Sequence, residues 1–223
     1  MLSTEGVVTM EFPHLQRLIE GNQFDTIYHE HFSYLSFIAV NRIFAHHGIT
    51  LFDVEELSTH GGSIRIYGRH SNDCTKEVTN RVRDLLRRES ELGFETIEYY
   101  SVFEEKVKET KRKLLDFLIA AKRKGKTIVG YGAPGKGNTL LNYCGVRTDF
   151  IDYTVDMSPH KQGNFLPGTH IPILHPDMIK STKPDFLLIL PWNLKDEIIA
   201  QHDYIRSWGG RFVIPIPELT IID

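Results

Sequence analysis

The most constraining feature of the sequence is a short apolar run that leads directly into a glycine-rich turn. The run KTIVGY at 126–131 is followed by GAPGKGN, and a helical pattern begins at about Asn138. Apolar segments at 151–155, 186–190 and 212–215 continue the alternation of strand and helix. Such alternation is typical of a parallel sheet covered by helices. Residues 125–223 are therefore predicted to form a Rossmann-like α/β domain.

The turn carries a spacing associated with phosphate binding. Gly130, Gly132 and Gly135 match G-x-G-x-x-G, which lets backbone N–H groups approach a phosphate at a helix N-terminus. Asp156 follows the next predicted strand, at the position where an acidic residue binds ribose in dinucleotide folds. Asn138 stands where a Walker loop has Ser or Thr, so ATP hydrolysis is not expected. A turn that needs glycine only for its geometry is the alternative. The residues predicted to bind substrate are Gly130, Gly132, Ala133, Gly135, Lys136, Asn138 and Asp156.

A second motif, FDTIYHEHFSY at 24–34, crowds Tyr28, His29, Glu30 and His31 into consecutive positions. Imidazole titrates near neutral pH and a phenol can donate to a developing oxyanion, so the cluster suggests proton chemistry. The two histidines are two residues apart, whereas the zinc-protease pattern needs four, so no metal site is predicted. A solvated polar loop is the alternative.

The remaining sequence predicts two further parts. Residues 1–70 contain a strand, two short helical patterns and two more strands, and they look like the tail of an α/β domain whose earlier strands lie upstream. Residues 71–124 are charged, with apolar positions at three- and four-residue spacings and a break near Gly93, which predicts a connector of one or two amphipathic helices. The predicted domains are thus 1–70, 71–124 and 125–223.

Composition excludes several classes of protein. The net charge of -3 over 223 residues gives no footprint for nucleic acid. Cys74 and Cys144 form no CxxC pair, which argues against a zinc site or a disulfide scaffold and favours a reducing cytoplasm. No apolar run reaches the length of a membrane span, and the N-terminus lacks a signal-peptide layout. A soluble cytoplasmic protein with no membrane partner is expected.

Five motifs in order carry a family resemblance: FDTIYHEHFSY, HGGSIRIY, GYGAPGKGNTLLNYCG, DMSPHKQGNFLPGTHIPI and LPWNLKDEI. They resemble the C-terminal part of S-adenosylmethionine-dependent sugar C-methyltransferases. That family combines a zinc-binding N-terminal domain, a methyltransferase domain whose glycine-rich loop binds the donor, and a C-terminal Rossmann-like domain. The resemblance covers the chain but only about the last half of that architecture, without the zinc domain or the donor loop. It implies the last strands of a methyltransferase-type α/β domain, a helical connector and a Rossmann-like domain.

The resemblance also implies a mechanism. His31 would remove a proton next to the ketone of a nucleotide-linked deoxysugar, with Glu30 and Tyr28 organising the base and the enolate. S-adenosylmethionine would supply the methyl group, although its binding loop is absent from this chain. The implied partners are a nucleotide sugar of the dTDP type and either a separate N-terminal portion or a second copy of the chain. Two alternatives stay open: a nucleotide-sugar-binding module without catalysis, and an NAD-dependent enzyme built on the glycine-rich turn.

Overall fold

A computed structural model describes residues 2–223 and divides the chain into two compact units. Of the described residues, the first unit comprises 2–23 and Phe32–Glu105, and the second comprises Phe24–His31 and Lys106–Asp223. The short segment 24–31 therefore belongs to a different unit from the residues on either side of it. The three-part division with boundaries at residues 70 and 124 stays a prediction.

The first unit contains a three-stranded antiparallel sheet. Its strands are β1 (Val7–Pro13), β2 (Ile49–Leu57) and β3 (Ser63–His70), in the order β1-β3-β2. Strands β2 and β3 are joined by five residues, a connection short enough only for antiparallel neighbours. Ile64 and Ile66, two residues apart on β3, are fully buried and face the core of this unit.

Three helices accompany this sheet: α1 (Leu15–Glu20), α2 (Phe37–His46) and α3 (Asn80–Leu92). Helices α2 and α3 cover the sheet through one apolar cluster. Its buried members are Phe37, Val40, Leu51, Val54, Ile64, Ile66, Val82 and Leu85.

Glu89 of α3 is the polar centre of the first unit and is completely buried. Its carboxylate accepts hydrogen bonds from the backbone N–H groups of Phe37 (2.8 Å) and Ile38 (2.7 Å) at the start of α2. It also accepts from His14 Nε2, at 2.7 Å, just before α1. Since the first N–H groups of a helix have no partner within the helix, this carboxylate caps α2 from a distance.

The connector is helical, as its periodicity predicts. Helix α3 ends at Gly93, whose φ of +89° is a left-handed C-cap, and α4 (Ile97–Arg123) follows. Helix α4 begins in the first unit and ends in the second. No helix in the described part of the chain is both long and apolar enough to cross a membrane.

The second unit contains a six-stranded sheet, which confirms the predicted α/β fold with a Rossmann-like C-terminal domain. The sheet has the order β6-β5-β4-β7-β8-β9 and is parallel except for β9. Its strands are β4 (Ile128–Tyr131), β5 (Thr154–Val155), β6 (Ile173–Leu174), β7 (Phe186–Ile189), β8 (Arg211–Ile214) and β9 (Thr220–Ile222). Its further helices are α5 (Gly135–Cys144), α6 (Met178–Thr182) and α7 (Lys195–Gln201).

The strand order reverses at β4. The chain continues from β4 to β5 on one side of it and later returns to β7 on the other side. In open α/β sheets, the crevice at the carboxyl ends of the strands at such a reversal is where ligands bind. The glycine-rich turn begins directly after β4, so the topology places it at that crevice.

We predict that Glu89→Ala lowers the free energy of unfolding by about 3 kcal/mol, because it leaves two helix N–H groups and a buried histidine without their acceptor. Urea denaturation followed by circular dichroism measures the change. Glu91→Ala, on the same helix but with a largely exposed side chain, is the control and should change stability by about 0.5 kcal/mol or less. Equal effects of the two substitutions would contradict the capping role of Glu89.

Candidate functional site

The glycine-rich turn joins the end of β4 to the start of α5. Helix α5 begins at Gly135, three residues earlier than its sequence pattern predicts, and its N-cap residue Pro134 has no side chain that could accept a hydrogen bond. The N–H groups of the first turn of α5 are therefore not capped by a side chain at this position. A helix N-terminus of this kind favours anions through its N–H groups and its dipole.

Three glycines of this region are required by close packing. A methyl group on Gly130 would lie 2.7 Å from Thr154 Oγ1, and one on Gly137 would lie 2.7 Å from Leu190 Cβ. Gly132 has a φ of +87°, and a methyl group there would lie 2.7 Å from Pro191. Part of the G-x-G-x-x-G spacing thus reflects packing of the turn on the sheet. The substrate-binding role of these glycines stays a prediction.

Asp156 braces the turn from the end of β5. Its carboxylate accepts hydrogen bonds from the backbone N–H groups of Ala133 (2.8 Å) and Ser158 (2.9 Å) and from Lys161 Nζ (3.1 Å). Lys161 Nζ also donates to the Ala133 carbonyl at 3.0 Å. Burial raises the pKa of Asp156, but these hydrogen bonds and the lysine charge outweigh burial and hold the pKa below its usual value. Both carboxylate oxygens are therefore engaged within the protein.

The segment 24–31 lies against this turn within the second unit. The residues Phe24–Thr26 form a 3-10 turn, and the Phe24 ring meets Tyr143 of α5 edge to face, with centroids 5.2 Å apart. The Tyr28 ring passes 3.5 Å from the position that a methyl group on Gly135 would occupy. The two motifs that the sequence analysis treated separately thus share one site.

A hydrogen bond assigns the tautomer of the His31 ring. His31 Nδ1 lies 2.8 Å from the Thr26 carbonyl oxygen, which can only accept, so Nδ1 carries the hydrogen. In the neutral ring the lone pair then resides on Nε2. The Tyr28 and His31 rings are neighbours, with centroids 4.5 Å apart.

His29 and Glu30 lie on the exposed side of the segment. The Glu30 carboxylate makes no hydrogen bond or ion pair with any other residue in the range 2–223. Its predicted role in organising the base stays a prediction.

Asp25, which was not predicted as a site residue, is the acid of the site whose pKa is most strongly shifted. Its side chain is fully buried, and Oδ2 accepts a 2.7 Å hydrogen bond from Trp192 Nε1. Its Oδ1 is buried with no hydrogen-bond partner among the described residues. Burial raises the pKa of Asp25 to about 7, against the opposing effects of the Trp192 hydrogen bond and the Lys136 charge.

This pKa shift makes the contribution of Asp25 to folding depend on pH. The unfolded chain loses the proton near pH 3.8, whereas the folded chain keeps it up to about pH 7. The stability that this proton contributes is therefore complete below about pH 4 and is lost as the pH rises through about 7.

Lys136 connects the start of α5 to the turn that follows β7. Its Nζ donates to Asn193 Oδ1 at 2.7 Å and lies 4.6 Å from the centroid of the Trp192 ring. Burial lowers the pKa of Lys136, while the nearby Asp25 acts in the opposite direction. The ammonium group is thus held beside the N-terminus of α5.

Two comparisons with known proteins bear on this site. A family model described as the C-methyltransferase C-terminal domain matches residues 58–217. The C-methyltransferase NovU of Streptomyces niveus is 36% identical over 222 residues, which are 100% of this chain and 53% of that protein. The chain therefore spans about half the length of the curated relative that it matches.

We predict that Gly130→Ala lowers the free energy of unfolding by about 2 kcal/mol, because its methyl group overlaps Thr154. Gly135→Ala is the matched control, because its methyl group meets only the Tyr28 ring at an ordinary contact distance. We expect this second change to alter stability by about 0.5 kcal/mol or less. Urea denaturation measures both variants. Unchanged stability of Gly130→Ala would show that packing does not require this glycine.

Proposed function

Because the chain belongs to the family of C-methyltransferase C-terminal domains, we propose that it is the substrate-holding and proton-abstracting part of a sugar C-methyltransferase. The observation that carries the proposal is the packing of the His31 segment on the glycine-rich turn. This packing brings a candidate base beside a candidate anion site within one unit.

The substrate in this proposal is a nucleotide-linked ketosugar of the dTDP type. Its diphosphate lies at the N-terminus of α5, where uncapped N–H groups and the Lys136 ammonium group favour negative charge. Lys161 braces Ala133, but its charge is balanced by the Asp156 carboxylate, so Lys136 is the cation assigned to the diphosphate. The substrate's sugar would then extend from the diphosphate toward Tyr28 and His31.

His31 acts as the base in this proposal. Its Nε2 takes the proton from the carbon next to the ketone, and the electron pair of that C–H bond moves to form an enolate. Such a proton is acidic only when the enolate oxygen is stabilised, and the Tyr28 phenol beside His31 is the donor assigned to that oxygen. The enolate carbon is the nucleophile that C-methylation requires.

S-adenosylmethionine, the donor implied by the resemblance, does not fit the glycine-rich turn. The donor carries a sulfonium cation, whereas the turn presents a helix N-terminus and the Lys136 ammonium group, and the charges of Lys161 and Asp156 balance each other. Asp156, which stands where a ribose-binding acid is expected, already has both oxygens engaged. We therefore assign this turn to the anionic substrate.

A nucleotide-sugar-binding module without catalysis is the second candidate. It is favoured by the same poor fit of the donor, because binding of the diphosphate needs only the turn and Lys136. The same engagement of Asp156 weighs against the NAD-dependent alternative, which needs that acid for a ribose. Binding and proton removal can be measured separately, so the two candidates can be distinguished.

We predict that dTDP binds to this chain and that Lys136→Ala weakens binding by about tenfold or more, because a charge-assisted contact to phosphate is lost. Isothermal titration calorimetry measures both dissociation constants. Lys124→Ala removes the same charge from an exposed position of the second unit and is the control. Equal binding by both variants would assign the glycine-rich turn a structural role only.

We predict that the chain catalyses exchange of the proton next to the ketone of a dTDP-linked ketosugar with deuterium from D2O. NMR of the sugar follows this exchange without any methyl donor. His31→Ala should slow the exchange at least about a hundredfold, whereas His29→Ala, on the exposed side of the segment, should not. Tight binding of the ketosugar without exchange would favour the binding module over the enzyme.

A further inference from the structure

We propose that Asp25 is the positioning residue that fixes the base-bearing segment on the glycine-rich turn, and that it holds a proton when an anion occupies that turn. The inference rests on the proposed function, because it concerns how the two halves of that site are coupled. It goes beyond that function in assigning a role to a residue that need not touch the substrate.

The turn Phe24–Thr26 carries two anchoring hydrogen bonds on adjacent residues. The Asp25 side chain is bonded to Trp192 Nε1 at 2.7 Å, and the Thr26 carbonyl receives Nδ1 of His31 at 2.8 Å. Displacing Asp25 therefore displaces the carbonyl that selects the tautomer and orientation of the base.

Trp192 joins Asp25 to the proposed anion site. The edge of the indole donates to Asp25, while Lys136 Nζ lies 4.6 Å from the centroid of the same ring. Lys136 is further held by Asn193, the residue after Trp192. One buried aromatic side chain thus sets the distance between the base segment and the ammonium group that would meet the diphosphate.

The surroundings of the Asp25 carboxyl group disfavour its negative charge. Its buried Oδ1 has no hydrogen-bond partner among residues 2–223. An ionised carboxylate at this position would therefore lose its hydration without gaining a hydrogen bond at Oδ1. Helix α5 contributes the positive charge of Lys136 near the carboxyl group. The turn after β7 contributes the uncharged indole of Trp192, and the turn that contains Asp25 contributes a backbone hydrogen bond. Lys136 is therefore the group whose charge favours ionisation of Asp25.

A diphosphate at the start of α5 changes this balance. The diphosphate pairs with Lys136, so the Lys136 charge stabilises an ionised Asp25 less than before. The diphosphate also brings negative charge close to the Asp25 carboxyl group. Both effects favour the protonated acid. Binding of the anion is then linked to uptake of a proton, and by reciprocity a lower pH strengthens binding. The neutral acid keeps the bond from Trp192, so the segment stays in position.

The first experiment tests the linkage with dTDP-glucose, whose diphosphate diester does not titrate near pH 7. Calorimetry at pH 7 in two buffers of different ionisation enthalpy should show uptake of about half a proton per ligand bound. Asp25→Asn, which is neutral and keeps an acceptor for Trp192, should take up close to none. Binding by the native chain with no proton uptake would overturn the linkage.

The second experiment tests positioning by the deuterium exchange described above. Asp25→Ala should lower the exchange rate at saturation at least about tenfold while changing the dissociation constant less, because the base is misplaced and Lys136 is intact. Asp25→Asn should restore most of the rate that Asp25→Ala loses. Equal losses in the two variants, or a loss in affinity alone, would contradict the positioning role.

The third experiment needs no ligand and so separates this proposal from the proposed function. The Trp192 indole N–H resonance, assigned by its absence in Trp192→Phe, should shift with pH in the native chain and stay constant in Asp25→Asn. A resonance independent of pH between 5 and 9 in the native chain would overturn the proposal even if nucleotide binds. Failure to bind dTDP-glucose together with a normal indole titration would instead count against the proposed function.

Discussion

The candidate site depends on one packing constraint, the attachment of residues 24–31 to helix α5 and the turn after β7. Phe24 packs on Tyr143, and the buried bond from Trp192 to Asp25 fixes the same turn. Without these contacts, the TyrHisGluHis motif would be a polar loop with no defined neighbour. With them, a histidine with an assigned tautomer stands beside an uncapped helix N-terminus.

The sheet of the second unit holds this arrangement of residues 24–31 and the glycine-rich turn in place. Strand β4 is buried throughout and lies between β5 and β7, so the turn that follows it cannot shift without disturbing the core. The close contacts of Gly130 and Gly137 tighten that turn, and Asp156 ties Ala133 to the end of β5. A pre-positioned anion site loses less free energy to ordering when a ligand binds.

The sequence predicted the elements whose structure is determined by local patterns of residues. The strand, glycine-rich turn and helix from 126 to 144 follow from period and turn chemistry, and so does the two-helix connector. Strands β6 and β9 were missed because segments of two or three residues are too short to show a period. Asp25 was missed because its partner Trp192 is 167 positions away, so its burial could not be inferred from neighbours. His31 was a candidate base from its residue type alone, whereas the hydrogen bond that assigns its tautomer required coordinates.

The discontinuous composition of the second unit has a consequence for the construction of chimaeras. The polypeptide enters this unit at residue 24, leaves it after residue 31 and enters it again at residue 106. A hybrid made by joining two homologues within α4 would combine residues 24–31 of one parent with the glycine-rich turn of the other. A hybrid that keeps the packing between these two pieces therefore needs both from the same parent, with Asp25 and Trp192 together.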